Sequence, residues 1–363
     1  MKKILTALFV ISFVFPACEE EDTSKVEDYK IIEPEDPRDK GDRLLGINIS
    51  ESSDGFMTSF ETANEAGIQM LELNLPWSAM ETSEGNYVDP YGGVLAATSF
   101  YGENDIKVCF SIALINTVQW EVPPYLEGVD PDDAAFIQAF KKFMDWFMAE
   151  IPDNVTVPAI SIGNEVNYVL ESNADWEKYT TFYETMVNYI HTNYPDVKVG
   201  VKTTIIGGLF RDDRDHIKAL NAKSDVIMLN YYPQNSEFQV YAPTTIHEDF
   251  ADMTEIFPTE EIWITEIGYQ SGNDYCNSSE SKQAEFYHEM FKCWDDHKDQ
   301  VKFMLINWLH DQSPATIEEW KNYYGDDPAL VEYLSTLGLR NYDGTDKAAW
   351  KQVKEEANSR NWK

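Results

Sequence analysis

Apolar residues are arranged along this chain in two alternating patterns. Short, nearly continuous apolar runs recur from Arg43 onward: RLLGINIS (43–50), IQMLELNL (68–75), DIKVCFSIAL (105–114), VPAISIGN (157–164), VKVGVKTT (197–204), DVIMLNYY (225–232), EIWITEIG (261–268) and VKFMLINW (301–308). Runs of this length and composition predict strands buried on both faces. Between them the apolar residues fall at three- and four-residue spacing. In DDAAFIQAFKKFMDWFMAEI (132–151), Phe136, Phe140, Phe143, Phe147 and Ile151 mark one buried helical face, and WEKYTTFYETMVNYIHTNY (176–194) predicts a second long helix. A last helix, KAAWKQVKEEA, closes the chain. Strands that alternate with helices imply a parallel sheet, and eight such units predict a single α/β (β/α)8 TIM barrel over residues 43–363. An open doubly wound sheet is the alternative, but no GxGxxG follows the first strand.

The first 42 residues follow neither pattern. MKKILTALFVISFVFPAC has two lysines, then an apolar stretch from Ile4 to Phe15 too short for a permanent membrane span. Its end resembles a bacterial lipobox, which predicts a signal peptide over 1–17 and a lipid anchor on Cys18. Residues 18–42 are acidic and poor in apolar residues, as in a solvated tether. Together these imply an exported protein held at the outer membrane or cell surface of a Gram-negative bacterium. Cys109 lies in an apolar strand. Cys276 and Cys293, 17 residues apart, are candidates for a disulfide worth roughly 3 kcal/mol in an oxidising compartment.

Composition narrows the partners. The formal charge of −36 disfavours nucleic acid and polyanionic glycans and fits a neutral or cationic ligand. Ten Trp and twenty Tyr supply both a core and stacking faces for sugars. The six His form no cluster with carboxylates, so neither metal nor cofactor is expected, and a metal-dependent sugar isomerase is disfavoured. The chain is expected to be a monomer.

A barrel of this kind collects its functional residues at the C-terminal strand ends. Here those ends carry Asn48, Trp77, Asn164, Glu165, Tyr231, Tyr232, Glu266 and Trp308. A carboxylate ending an apolar strand is costly unless paired or used. Glu165 ends the fourth strand and Glu266 the seventh, which lie across the mouth of a closed barrel. Two facing carboxylates about 5–5.5 Å apart are what retaining glycoside hydrolysis requires. Tyr231 and Tyr232 point to opposite faces, so only one meets the mouth. Trp120, after the third strand, reads equally as an outer sugar platform or a packing residue. His310 and Asp311 read equally as substrate contacts or as loop supports.

Six segments, in order, resemble the clan A glycoside hydrolases. GNE ends strand four and TE ends strand seven. PWSAMETSEGNYV (76–88) is similar to the clan's Trp-x-x-x-Glu-Pro segment, with Thr82 in place of Pro. LNYYP (229–233), INWLHD with Trp308, and GLRNYDGTDKAAWKQV (338–353) complete the set. The resemblance implies Glu165 as acid/base, Asn164 as the amide on the sugar 2-hydroxyl, Glu266 as nucleophile, a strand-six tyrosine holding it, and Trp308 as a sugar platform. Two features depart from the clan. The second strand lacks the Arg that orients the nucleophile, with Leu71 or Glu72 near its place, and the third strand ends on Asn116 where a His is usual. The expected function is a retaining β-glycosidase on a neutral carbohydrate. The alternative is a barrel that only binds glycan at the cell surface.

Overall fold

A computed structural model describes residues 29–50 and 52–363. Its eight parallel strands are β1 (Leu44–Ile47), β2 (Met70–Pro76), β3 (Lys107–Asn116), β4 (Ala159–Asn164), β5 in two short runs (Lys198–Gly200 and Lys202–Thr204), β6 (Ile227–Tyr231), β7 (Ile262–Ile267) and β8 (Val301–Ile306). Each lies inside one of the predicted apolar runs or within two residues of its end. The helices between them are α1 (Phe56–Asn64), α2 (Ser99–Glu103), α3 (Ala134–Glu150), α4 (Asn173–Asn193), α5 (Arg214–Leu220), α6 (Thr245–Ile256) and α7 (Glu280–Asp296). After β8 come α8 (Pro314–Tyr324), α9 (Pro328–Ser335) and the closing α10 (Ala348–Ser359). Local chemistry sets the long helices' starts. The Asp133 side chain accepts from Ala135 N–H to cap α3, and Ser172 and Asp175 form a capping box on α4.

Neighbouring strands pair in the order β1-β8-β7-β6-β5 and β2-β3-β4-β5. The break in β5 at Val201 lets its first run pair with β4 and its second with β6. On the other side Gln69 N–H donates to Leu45 O at 2.8 Å, joining β1 to β2. The ring is therefore continuous, and the expected (β/α)8 barrel is the fold. Gly46 makes the close approach possible. A Cβ there would lie 2.5 Å from Met70 O and 2.6 Å from the Leu305 side chain. Phe136, Phe140, Phe143 and Phe147 of α3 are all buried, as their spacing predicts, and Ile151 caps the helix half-buried.

The folded unit starts at Ile31, not at Arg43. Ile32 exchanges two hydrogen bonds with the Gln352 amide of α10, at 2.9 and 2.8 Å. Arg38 N–H donates to Asp295 of α7, and Lys40 N–H to Arg360 O. Arg43 is buried against the rings of Trp294 and Trp362 and ion-paired with Asp295 at 2.8 Å. The last part of the acidic segment expected as tether is thus docked by polar contacts that no hydropathy pattern reports. The predicted signal peptide and Cys18 lie outside the described residues. Among the described residues no helix is long and apolar enough to cross a membrane.

The expected Cys276–Cys293 disulfide is not formed; both thiols are free and buried, as is Cys109. Cys276 sits in a small cluster with Tyr333 and Leu337, and its N–H donates to Glu332 at 2.6 Å. Cys293 belongs to the main core and donates to Ile246 O. Separation along the chain is compatible with a bridge, but the two residues pack in different clusters. Burial, aided by Glu332, pushes the Cys276 thiol up to about 12, and burial pushes the Cys293 thiol up as well, which disfavours the reactive thiolate at both. Denatured without reductant and alkylated, the protein is expected to carry label on Cys109, Cys276 and Cys293, read by peptide mass spectrometry.

Candidate active site

At the end of β4 the backbone leaves the strand through two unusual residues. Gly163 has φ +93°, and a Cβ there would lie 2.4 Å from the Tyr179 hydroxyl. Glu165 itself adopts the left-handed conformation, φ +52°, which costs a non-glycine residue about 1–2 kcal/mol. The turn leaves Glu165 only 8% exposed. Asn230 of β6 donates to Glu165 Oε1 at 3.0 Å. Asn164 beside it donates to Asn116 Oδ1 at 2.9 Å, and Asn74 of β2 donates to the same oxygen at 3.0 Å. The Asn116 that stands where the resemblance implies a His thus holds the Asn164 amide.

Glu266, near the end of β7, pairs in register with Asn230. Asn230 therefore lies between the two carboxylates that the sequence singles out. Three donors from three segments meet Glu266. Lys202 Nζ lies 2.7 Å from Oε1, the Tyr232 hydroxyl donates to Oε2 at 2.7 Å, and Asn307 Nδ2 donates to Oε2 at 3.2 Å. Asn48 donates to Asn307 Oδ1 at 2.6 Å, so the end of β1 supports this arrangement. Lys202 is fully buried and also reaches Glu72 of β2, at 2.6 Å. The cation missing from the second strand is supplied from the fifth.

The electrostatics divide the carboxylates. Burial, reinforced by the nearby Glu266 charge, pushes the Glu165 carboxyl from its ordinary 4.5 up to about 7. Asn230 and Thr117 hydrogen bonds and Lys202 oppose the shift without cancelling it. Burial, and to a smaller degree Glu266, also pushes Glu72 up to about 7 against the pull of Lys202. Burial alone would lower the Lys202 ammonium, but Glu266 and Glu72 more than reverse that, and it stays a cation. The Tyr232 hydroxyl is pushed up by burial and Glu266 and remains a donor.

The other expected site residues separate into those at the mouth and those elsewhere. Tyr232 faces Glu266, whereas Tyr231 faces the helices, donating to Asp249 at 2.6 Å and packing on Phe250 and Phe286. Tyr231 is therefore a core residue and not a substrate contact. Trp77 is also core. It is fully buried, its ring packs on Phe136, Phe140 and Phe143, and its N–H donates to Glu81 at 3.0 Å. His310 is fully buried beside the Arg340 guanidinium, at 3.1 Å, and supports its loop. Burial and Arg340 lower it to about 4. Asp311 is likewise a loop support, paired with Lys347 at 2.7 Å. Trp308 is half-buried, 5.2 Å from Trp320 of α8. Trp120 is 38% exposed and lines a separate cavity of about 340 Å³ with Val122, Leu126, Phe136 and Lys178.

Several site residues were not singled out from the sequence, among them Asn74 and Asn307. Lys202 and Asn230 had a usable signal, since each is a polar residue inside an apolar strand, and Asn230 shares a face with Tyr232 by strand alternation. Tyr324 and Tyr333 had none. Both come from the insertion after β8, and the charges of Glu165 and Glu266, after burial, push their hydroxyls up. Among the described residues no group of three or more His, Cys, Asp or Glu is placed to hold a metal ion.

Comparison with known proteins places this geometry. Residues 214–325, which carry Asn230, Tyr232 and Glu266, match the glycosyl hydrolase catalytic core family model. No curated protein sequence matches significantly. Similar solved structures include a glycoside hydrolase family 5 variant from Streptomyces cattleya in complex with Manβ1-4GlcNAc, at 14% identity and TM-score 0.67, covering 87% of this chain and 80% of that one. An exo-β-1,4-mannosidase from Opitutaceae bacterium strain TAV5 has 14% identity and TM-score 0.68, with 88% of this chain and 59% of that one covered. Xylanase 10B from Thermotoga maritima has 14% identity and TM-score 0.61, covering 88% and 96%. The family match over these residues is to a glycosyl hydrolase catalytic core, and the similar structures, all glycoside hydrolases, share the (β/α)8 fold with this chain.

The raised Glu165 carboxyl has a measurable consequence for stability. The folded protein holds this proton more tightly than the unfolded chain. The resulting stabilisation is fully present below about pH 4.5 and is lost as pH rises through about 7, a change of roughly 3 kcal/mol. Glu165→Gln has no such proton. The stability difference between wild type and this variant, from urea unfolding across that range, is expected to shift against the wild type by that amount as pH rises.

Proposed function

We propose that this protein is a retaining β-glycoside hydrolase acting on a neutral oligo- or polysaccharide by double displacement. The observation that carries the reading is the pair of unlike carboxylates flanking Asn230. Glu165 is buried and protonated up to about pH 7, and Glu266 is ion-paired to Lys202. Two carboxylates whose environments differ in this way divide naturally into acid and nucleophile.

In the first step a Glu266 oxygen forms a bond to the anomeric carbon. The bond to the leaving oxygen breaks, and the Glu165 proton goes to that oxygen. Asn164, held by Asn116, binds the 2-hydroxyl of the same sugar, a contact that strengthens as positive charge develops. In the second step Glu165, now a carboxylate, takes a proton from water, whose oxygen replaces Glu266 at the anomeric carbon. Two inversions retain the configuration. The half-buried Trp308, with Trp320 beside it, offers an aromatic face for the sugar, and Trp120 offers one farther out. The formal charge of −36 favours a neutral substrate. The Streptomyces cattleya variant is bound to Manβ1-4GlcNAc and the Opitutaceae enzyme is named an exo-β-1,4-mannosidase, which favours a β-linkage here.

The test uses p-nitrophenyl β-glycosides and a panel of neutral plant and host glycans. Turnover is expected with retention by NMR, and kcat/KM is expected to fall as pH rises through about 7 as Glu165 loses its proton. Glu266→Ala is expected to abolish turnover, and azide to restore part of it with an inverted glycosyl azide product. Glu165→Ala is expected to slow poor leaving groups far more than activated aryl glycosides. Binding of a glycan without turnover of any substrate would replace the enzyme reading with that of a glycan-binding barrel.

We also propose that the protein is exported and anchored through a lipid on Cys18, since a short apolar segment and small residues precede that cysteine. Labelled palmitate is expected to incorporate into the wild type. Cys18→Ala is expected to move the protein from the membrane to the soluble fraction.

A further inference from the structure

We propose that Lys202 is a positioning residue for the nucleophile, and that Glu72 anchors its ammonium in place. The inference rests on the glycosidase reading above.

Lys202 is fully buried inside the barrel, with its Nζ 2.6 Å from Glu72 Oε1 and 2.7 Å from Glu266 Oε1. The three residues come from β5, β2 and β7, which are not neighbours in the ring. The charges therefore meet across the lumen and not along a sheet edge. The break in β5 at Val201 is what makes this possible. It ends pairing with β4 and restarts it with β6 from Lys202 onward, where Lys202 is in register with Met228.

A buried ion cluster of this kind is poor evidence of a stability device. Desolvating an ammonium and two carboxylates costs several kcal/mol per ion, and well-packed apolar replacements are often as stable. The surrounding strands are apolar, and one oxygen of Glu72 has no hydrogen-bond partner among the described residues. What the cluster does supply is orientation. Lys202 fixes Oε1 of Glu266 while Tyr232 and Asn307 fix Oε2, so the plane of the carboxylate is set from both sides. A nucleophile held in this way needs no reorientation to reach the anomeric carbon. When Glu266 becomes an ester, Lys202 loses one carboxylate partner and keeps the other in Glu72. Glu72 is buried, and its Oε1 is taken by Lys202.

A structural role and a positioning role predict different behaviour for two variants. Lys202→Met removes the ammonium and leaves Glu72 buried without a partner. The double variant Glu72→Gln/Lys202→Met replaces that partnerless buried carboxyl with a neutral amide as well. The measurements are thermal melting, and kcat and KM on whichever of the p-nitrophenyl β-glucoside, mannoside, galactoside or xyloside the wild type turns over fastest. The double variant is expected to melt at a higher temperature than Lys202→Met and close to the wild type. Both variants are expected to lose about 10²–10³-fold in kcat, the usual cost of removing one preorganised donor, while KM stays within about threefold. A folded double variant with wild-type kcat overturns the inference and leaves the glycosidase reading intact. A wild type that turns over none of the four glycosides and no glycan of the panel overturns the glycosidase reading, and this inference with it.

Discussion

An ammonium in the lumen of an apolar barrel is tolerable only where carboxylates reach it, and Lys202 has two. The contact between Lys202 and Glu266 organises much of what surrounds it. Glu266 in turn collects Tyr232 and Asn307, and Asn307 is held by Asn48 at the end of the first strand. On the far side, Asn230 donates to Glu165, and the neighbouring Asn164 donates to Asn116, which also receives Asn74. The barrel mouth is thus lined by side-chain amides and carboxylates whose partners come from strands on every side. Each member is short, so its position is dictated by the backbone that carries it. The strand register and the site geometry are therefore one constraint: a slip of one residue in any strand would turn its polar residue toward the helices.

The two glutamates are chemically the same residue and differ only in their neighbours. Glu165 sits on a strained left-handed turn, is shielded from water and accepts from a neutral amide. Glu266 contacts a cation and a phenol. Such differences in surroundings let one fold carry an acid and a nucleophile side by side. The cost of seating a carboxyl where it prefers its proton falls on folding stability, which is why the same residue carries both a stability prediction and a rate prediction.

The barrel was legible in the sequence because strands covered on both faces read as continuous apolar runs, and each of the eight does. The two glutamates were legible because a carboxylate ending such a run has few structural reasons to be there. What was not legible depended on direction and distance. Trp77 and Tyr231 stand at strand ends as expected, but strand-end position does not say which way a side chain turns. Pro76 ends β2, and the short helical turn after it buries Trp77 against α3; Tyr231 is one residue out of phase with Tyr232. The Cys276–Cys293 pairing failed because nearness along the chain placed the two thiols in separate packing clusters. Lys202 went unassigned because its partners lie 130 and 64 residues away. Nothing in a run such as VKVGVKTT announces which carboxylates will face it.

The insertion after β8 divides the molecule's work in a way the barrel alone would not. The groups that hold Glu165 and Glu266 come from strand ends and are fixed by sheet pairing. Trp320, Tyr323, Tyr324 and Tyr333 all come from α8 and α9, and Tyr323 bonds this insertion to the Asn116 carbonyl oxygen at 2.9 Å. The paired carboxylates and these aromatic residues are therefore encoded in separate stretches of chain. Changes in the length or aromatic content of residues 314–335 would reshape the surface beside Trp308 and Asn116 without touching a single strand.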